Sequence, residues 1–176
     1  MKTLTLQPNQ ILTTNDFPVH NEQILKIYFK MAQHDTNIIP PTPLLSIKIT
    51  GLPLLNDDSE KAHTYNTNLQ KYIDEHPEIE YIMCDGSHKT TAITLTHNPI
   101  HAVILATDED VQEFKDKEET GEIFSFAGPF TMNEIYIDKA EHLAQAEFFQ
   151  TVQSKTDRMV NKNSIPHYMI DHYLNN

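Results

Sequence analysis

Between residues 80 and 93 the sequence reads EYIMCDGSHKTTAI, and its hydrophobic pattern changes in the middle of this stretch. The apolar run that ends at Cys84 is typical of a buried strand. Residues 86–96 favour a helix, and Gly86 separates the two elements. Because the first turn of a helix has backbone N–H groups without intrahelical partners, a strand that passes directly into a helix gathers hydrogen-bond donors at one point. The sequence therefore predicts a strand–turn–helix unit whose turn attracts anions.

Strands and helices are predicted on both sides of this turn. Asn21 is expected to cap the first helix, whose apolar residues recur with the spacing of one helical face. The order strand, helix, strand over residues 79–105 predicts a βαβ unit with a right-handed crossover. The predicted strands cover residues 4–12, 44–49, 79–84, 100–105 and 135–137, and the predicted helices cover residues 22–32, 65–75, 86–96, 107–119, 140–152 and 168–174.

This succession predicts a single α/β (α+β) domain. A chain of 176 residues is long enough for one domain with a hydrophobic core, and two full domains are not expected. Residues 1–106 are predicted to form the core, with a helical insertion at about 54–78. Residues 107–176 are expected to be a helical extension packed on that core, since no linker rich in Gly, Ser or Pro separates the two parts.

The charge balance restricts the partners that the chain is expected to bind. It has 13 Lys and Arg residues against 25 Asp and Glu residues, and the net charge of -12 repels polyanions. Duplex DNA and RNA are therefore not expected partners. A small anion is a different case, because a local nest of backbone N–H groups with one or two cations can bind it.

Cysteine usage and hydropathy favour a cytoplasmic protein. Cys84 is the only cysteine, so no intramolecular disulfide and no cysteine-based zinc cluster is expected. The amino terminus lacks the apolar core of a signal peptide, and no apolar run approaches the ~20 residues that span a bilayer. No membrane association is expected.

The polar residues of the turn are the candidates for a binding site. Asp85 can cap the helix or hold a metal ion, and Gly86 allows close approach of a ligand to the backbone. Ser87, His88 and Lys89 add donors beside the positive end of the helix dipole. In open α/β sheets, ligands collect beyond the carboxyl ends of strands, which is where this turn lies.

Each of these side chains also has a structural interpretation. His88 shares one helical face with Ala92 and Leu95, which is the pattern of a hydrogen-bonded core histidine. Lys89 is expected nearer the rim, where lysine is usually solvated. Capping by Asp85 would stabilise the helix by about 0.5 to 2 kcal/mol without any chemistry.

The residues around the turn resemble the ParB/sulfiredoxin-like superfamily. In that family a hydrophobic strand precedes a Gly-x-His-Arg or Gly-x-Arg-Arg element that opens a helix, and CDGSHKTTA at 84–92 is similar to this element. The stretches 39–45 and 99–104 and the helix at 22–32 also resemble parts of the family, so the resemblance covers about residues 8–106. It implies a small mixed sheet flanked by helices, here with a helical insertion and a helical C-terminal part.

The resemblance implies that the turn binds the phosphate groups of a nucleotide, ATP or ADP, together with Mg²⁺. The residues that it implies for phosphate binding are Gly86, Ser87, His88, Lys89 and Thr90. Lys89 stands where the family usually has arginine, and lysine offers a point charge rather than a bidentate fork.

Departures from the family pattern favour its free-serine-kinase branch. Ser87 stands where sulfiredoxins have their cysteine, and the acidic balance and the lack of a basic helix-turn-helix segment argue against a ParB partition protein. The resemblance then implies phosphoryl transfer to a small hydroxylated acceptor. Asp85 would orient the metal ion or the acceptor, and the early loop would supply the base, for which Asp16, His20 and Glu22 are the candidates.

Two alternatives remain open. One is a non-catalytic, nucleotide-responsive module that acts on a protein partner, which the lysine at position 89 and the unassigned base favour. The other is a nuclease, as in some ParB-like domains, but the acidity of the chain counts against it.

Overall fold

The structure is a computed structural model that describes residues 1–13, 21–122 and 131–176. The predicted α/β class is confirmed, because the described strands form one mixed sheet on which helices pack. None of the described helices is long and apolar enough to span a bilayer. The strands are β1 (Lys2–Leu6), β2 (Ile11–Leu12), β3 (Thr42–Ser46), β4 (Tyr81–Met83) and β5 (Ile100–Ile104). The helices are α1 (Glu22–His34), α2 (Ile47–Thr50), α3 (Glu60–Glu75), α4 (Ser87–Leu95), α5 (Asp108–Glu119), α6 (Met132–Gln145), α7 (Val152–Asn161) and α8 (His167–Asn175).

The strand order β1-β5-β3-β4-β2 places β3 at the centre of the sheet. β3 runs parallel to β5 and antiparallel to β4, while β2 lies parallel to β4 at one edge. β1 forms the other edge and pairs antiparallel with β5. Because β2 and β4 are parallel neighbours, the chain leaves both strands at the same end of the sheet. The turn after β4 therefore lies at the end where the chain leaves β2 at Thr13.

The predicted βαβ unit is wrong. β4 and β5 run in opposite directions with β3 between them, so α4 does not connect parallel strands. Local periodicity identifies the three elements but carries no information on strand direction. The single strand predicted at 4–12 is also wrong, because Pro8–Gln10 form a short helical turn and send β1 and β2 to opposite edges. Proline cannot donate a ladder hydrogen bond, which favours the break at this point.

Three other predictions differ from the structure in type or extent. Residues 47–50, expected to continue a strand, form the short helix α2, which ends at a left-handed Gly51. Residues 135–137, also expected to be a strand, lie within α6. The insertion helix α3 begins at Glu60 instead of Tyr65, because the Ser59 hydroxyl caps it by accepting a backbone N–H.

The carboxyl-terminal part contains a helix that the sequence pattern does not separate. The helix predicted at 140–152 is divided, because α6 ends at Gln145 and α7 begins at Val152. The hydroxyl of Thr151 accepts the N–H of Ser154, and the hydroxyl of Ser154 accepts the N–H of Thr151. This reciprocal cap requires extended backbone at Thr151, so it starts a new helix.

Apolar side chains pack on both faces of the sheet. Leu44 and Leu45 point to opposite faces, as successive strand residues do. The cluster around Leu45 includes side chains of α3, α5 and α6, and the cluster around Leu44 includes side chains of α1, α4 and α7. A third cluster joins α1 and α4 to α7 and α8 around Phe29. α4 lies among these elements and is buried from Lys89 to Leu95.

Replacing Phe29 by alanine tests this third cluster. Phe29 is fully buried, and its ring centroid lies 5.8 Å from that of Tyr168 and 5.4 Å from that of His172. Because the truncation leaves a cavity, Phe29→Ala should lower the free energy of unfolding by about 3 to 5 kcal/mol in urea denaturation. Ile27→Ala, at an exposed position of the same helix, should change it by less than about 0.5 kcal/mol. Equal effects of the two variants would contradict the docking of α8 on α1.

Candidate functional site

Gly86 forms the corner between β4 and α4. Its φ of 106° lies in the left-handed region, where a residue with a side chain is strained. A Cβ atom on Gly86 would lie 2.6 Å from Cε of Lys89 and 3.4 Å from the γ-methyl group of Thr42. Glycine is therefore required twice, by the backbone conformation and by the side chain that lies against it.

The first turn of α4 presents backbone N–H groups at this corner. The N-cap is Gly86, which has no side chain to accept from them. The prediction that Asp85 caps the helix is therefore wrong, since Asp85 precedes the cap residue and is exposed. Within the described residues, the N–H groups of Ser87 and Lys89 have no hydrogen-bond acceptor. The corner thus offers free donors at the positive end of a helix dipole.

The carboxylate of Asp85 lies within electrostatic reach of two side chains. Burial raises the pKa of the Tyr28 hydroxyl in α1, and the negative charge of Asp85 raises it further. The same charge opposes the effect of burial on the pKa of Lys89. Asp85 is thus an exposed acid between the start of α4 and the side of α1.

Lys89 is buried, which contradicts its predicted place near the rim. The residue is 5% exposed, and its side chain crosses Gly86 so that Nζ donates to the backbone oxygen of Pro41 at 2.8 Å. Burial lowers the pKa of Lys89 to about 8. The prediction failed because α4 is enclosed on nearly all sides, so that neither face of the helix forms a rim.

A second buried lysine, Lys139, reaches the turn from α6. Its Nζ donates to the backbone oxygen of Cys84 at 2.9 Å and lies 2.6 Å from the carboxylate of Asp138. Burial raises the pKa of the Cys84 thiol to about 12, although the charge of Lys139 opposes this rise. Because the thiolate is the reactive form, a thiol with this pKa is not a nucleophile at neutral pH.

A third buried lysine, Lys155, reaches the turn from α7. It is 1% exposed, and its Nζ forms a short hydrogen bond with Oγ of Ser87, which is itself 6% exposed. Lys155 lies on the buried face of α7, between Val152 and Met159. The amino end of α4 is thus held from the side of the carboxyl-terminal helices.

Neither Lys139 nor Lys155 is among the residues predicted from the sequence. The signal that could have found them is a lysine on the apolar face of a helix. Lys139 lies one turn after Ile135 and one turn before Leu143, and both apolar residues are buried. A lysine is almost never buried without a partner, so its place on such a face indicates a specific contact.

Lys89, Lys139 and Lys155, here called the lysine cluster, give the turn a charge opposite to that of the chain. Their ammonium groups carry a formal charge of +3, and the nearby Asp85 and Asp138 carry -2, so the local sum is 3 − 2 = +1. The whole chain carries -12. A positive spot with oriented N–H groups is suited to a small anion even in an acidic protein.

His88 joins the turn to the start of α1. Its Nε2 accepts the backbone N–H of Asn21 at 3.1 Å, so the neutral ring carries its proton on Nδ1. Asn21 also caps α1, as predicted, because its side chain accepts the N–H groups of Gln23 and Ile24. The half-buried His88 therefore lies between the amino ends of two helices.

The acids predicted to act as catalytic base are not gathered at the turn. Glu22 is exposed, and its carboxylate pairs with Lys26 one turn later in α1. Asp16 and His20 lie outside the described residues. Within the described part of the chain, Asp85 is therefore the one predicted catalytic acid at the turn.

Two threonines lie at the turn and differ in their hydrogen bonding. Thr90, predicted to bind phosphate, is fully buried, and its hydroxyl donates to the backbone oxygen of Gly86 at 2.9 Å. This hydroxyl stabilises the first turn of α4. Thr42 is also buried, but its hydroxyl has no hydrogen-bond partner among the described residues. An unpaired buried hydroxyl is uncommon and is available to a ligand oxygen.

The described residues contain no group of three or more His, Cys, Asp and Glu side chains that could hold a metal ion. Asp85 offers a single exposed carboxylate. Mg²⁺ is commonly bound through one or two carboxylates together with substrate phosphates. Asp85 therefore fits as one ligand of an ion that arrives with a nucleotide.

Comparison with known proteins finds no matching family, and it finds no match among curated proteins or solved structures. The resemblance of residues 84–92 to the ParB/sulfiredoxin-like superfamily therefore stays a prediction. What the turn can bind has to follow from its own geometry.

Gly86→Ala should destabilise the protein by about 2 to 4 kcal/mol, because the new methyl group meets both a left-handed φ and the side chain of Lys89. Gly121→Ala is the matched control, since Gly121 has a φ of 78° but no atom near its Cβ position. The control should lose only about 1 to 2 kcal/mol, the backbone cost. Urea denaturation measures both, and equal losses would contradict the contact between Gly86 and Lys89.

Lys89 should make stability depend on pH. An ordinary lysine in the unfolded chain has a pKa of 10.5, whereas folded Lys89 has a pKa of about 8. Between these values the unfolded chain binds more protons, so this lysine's contribution to the free energy of unfolding rises with pH. The stability of the parent relative to Lys89→Met should therefore increase from pH 8 to pH 10.5, by at most about 3 kcal/mol. A constant difference across that range would contradict the burial of Lys89.

Proposed function

We propose that this protein binds a nucleotide through its phosphate groups at the turn between β4 and α4. The observation that carries the proposal is the lysine cluster, whose three ammonium groups contact Pro41, Cys84 and Ser87 while no lysine of the cluster is more than 8% exposed. Buried ammonium groups are stable only when they are hydrogen-bonded or paired with a negative charge. Phosphate oxygens meet that requirement and also accept from helix N–H groups.

The shape of the corner also supports a phosphate ligand. Because Gly86 has no Cβ, an oxygen can approach the first turn of α4 closely. The N–H groups of Ser87 and Lys89 and the hydroxyl of Thr42 are the donors left available there within the described residues. A ligand with several oxygens would use these donors and the positive charge of the lysine cluster together.

Transfer of the terminal phosphoryl group of ATP or ADP to a small hydroxylated acceptor is the reaction that we assign to this site. Phosphoryl transfer depends mainly on positioning and on neutralisation of charge, which a few lysines and N–H groups can supply. Asp85, exposed beside the turn, would orient the acceptor hydroxyl or ligate the Mg²⁺ that accompanies the nucleotide.

A non-catalytic, nucleotide-responsive module is the second candidate function. Lys139 and Lys155 extend from α6 and α7, so a charge bound at the turn acts directly on two carboxyl-terminal helices. Glu22 is paired with Lys26 instead of facing the turn, which leaves Asp85 as the one predicted acid there among the described residues. In such a module, binding would alter the helices that meet a protein partner.

A thermal-shift panel tests nucleotide binding. ATP, ADP, CTP and GTP, each with and without Mg²⁺, are added to the parent, to Lys89→Ala and to Lys139→Met. At a hundredfold excess over Kd we expect at least one nucleotide to raise the Tm of the parent by roughly 5 to 10 °C and to raise that of the two variants much less. Lys71→Met is the control, because Lys71 is a solvated lysine of α3 and should keep the full shift.

Two results would contradict the proposal. One is the absence of a shift with every nucleotide, and the other is an equal shift in the parent and in both cluster variants. Where binding is found, turnover with amino acids or sugars as acceptors favours the phosphotransferase. Binding without turnover favours the regulatory module.

A further inference from the structure

The contact between Ser87 and Lys155 has the form of a catalytic pair. Ser87 is the first residue of α4, and the Nζ of Lys155 is hydrogen-bonded to its Oγ in the interior of the protein. A serine activated by an adjacent lysine is a known kind of nucleophile. We propose that Ser87 itself accepts the terminal phosphoryl group of the bound nucleotide, with Lys155 as the base, and then passes it to the small acceptor. This inference rests on the proposed nucleotide binding and adds a covalent intermediate to it.

The fold places Ser87 at the point where a transferred group would be stabilised. Ser87 directly follows the left-handed Gly86, so it stands at the corner where β4 passes into α4. The N–H groups of His88 and Lys89 belong to the same helical turn and point toward its amino end. Negative charge on a phosphoryl group attached to Ser87 would meet these groups and the helix dipole.

Both members of the pair are held firmly. The backbone oxygen of Ser87 accepts the hydroxyl of Thr91 at 2.8 Å, which fixes the first turn of α4. Lys155 lies on the buried face of α7, whose start is fixed by the Thr151 cap. Ser87 is 6% exposed and Lys155 is 1% exposed, so the serine is the more accessible of the two. Exclusion of water strengthens their hydrogen bond and protects a phosphoserine from hydrolysis.

The transfer balances with the nucleotide as the sole co-reactant. The Oγ–H proton of Ser87 moves to the neutral amine of Lys155 while Oγ forms a bond to the terminal phosphorus. The bond between that phosphorus and the bridging oxygen breaks, and the nucleotide leaves with one phosphate fewer and with the electron pair on its oxygen. The new phosphoserine and the new ammonium group of Lys155 then attract each other. A second displacement passes the phosphoryl group to the acceptor hydroxyl and restores Ser87.

A purely structural contact is separated from a catalytic one by the variant Lys155→Arg. Arginine keeps the positive charge and the donors that would fasten α7 to α4, but it does not give up its proton in proteins. A structural role would therefore survive this change in large part, whereas a base would be lost.

The experiment is to incubate the protein with ATP or ADP and Mg²⁺ in the absence of an acceptor, quench it with acid, and measure intact and peptide masses. We expect the parent to gain one phosphoryl group on Ser87. Ser87→Ala should gain none, and Lys155→Arg should gain it at least about a hundredfold more slowly. Ser164→Ala is the serine control, because the Ser164 hydroxyl bonds a backbone oxygen after α7 and should leave the rate unchanged. Nucleotide thermal shifts are recorded for each variant.

The outcomes separate this inference from nucleotide binding. A nucleotide-dependent shift of the parent without phosphorylation of Ser87 overturns the inference and leaves nucleotide binding intact. The absence of any shift overturns both. Phosphorylation of Lys155→Arg at the parent rate also overturns the inference, because Lys155 would not be the base. Should Ser87→Ala fail to fold, the mapped peptide of the parent and the Lys155→Arg rate still decide.

Discussion

The aliphatic chain of Lys89 lies against the Cα atom of Gly86, and the other contacts of the turn depend on this approach. Since Gly86 has no side chain, the lysine can cross it and bond Pro41 at the start of β3. The contact ties the first turn of α4 to the central strand. It also holds the left-handed corner that lets the chain pass from β4 into a helix within a few residues.

Positive charge is assembled at this corner from distant parts of the chain. Lys89 belongs to α4, whereas Lys139 and Lys155 belong to α6 and α7. Each lysine holds an oxygen of the turn or of the adjacent strand, so the site is complete only when the carboxyl-terminal helices are docked. Residues 1–106, the predicted core, would therefore lack two of the three cations. The carboxyl-terminal helices contribute to the electrostatics of the site as well as to the packing of the core.

Local sequence patterns predicted the elements of the turn well, because a buried strand, a glycine and a helix each leave a local signature. The cap by Asn21 is predictable for the same reason, since capping depends on residues a few positions apart. The direction of β4 relative to β5 is not local and was predicted wrongly. Lys89 was misplaced because a helical wheel assumes one solvated face, and α4 has almost none. Lys155 was missed because the helix that carries it was merged with the one before.

The two short strands at the start of the chain are adjacent in sequence but form opposite edges of the sheet. β1 pairs only with β5 in the described sheet, with Lys2 opposite Ile104. During synthesis β1 therefore leaves the ribosome long before its partner exists, and the sheet is closed late. If β1 were detached, β5 would become an open edge with unpaired backbone groups, which is a template for association with other chains. The amino-terminal strand thus protects the folded protein against aggregation along that edge.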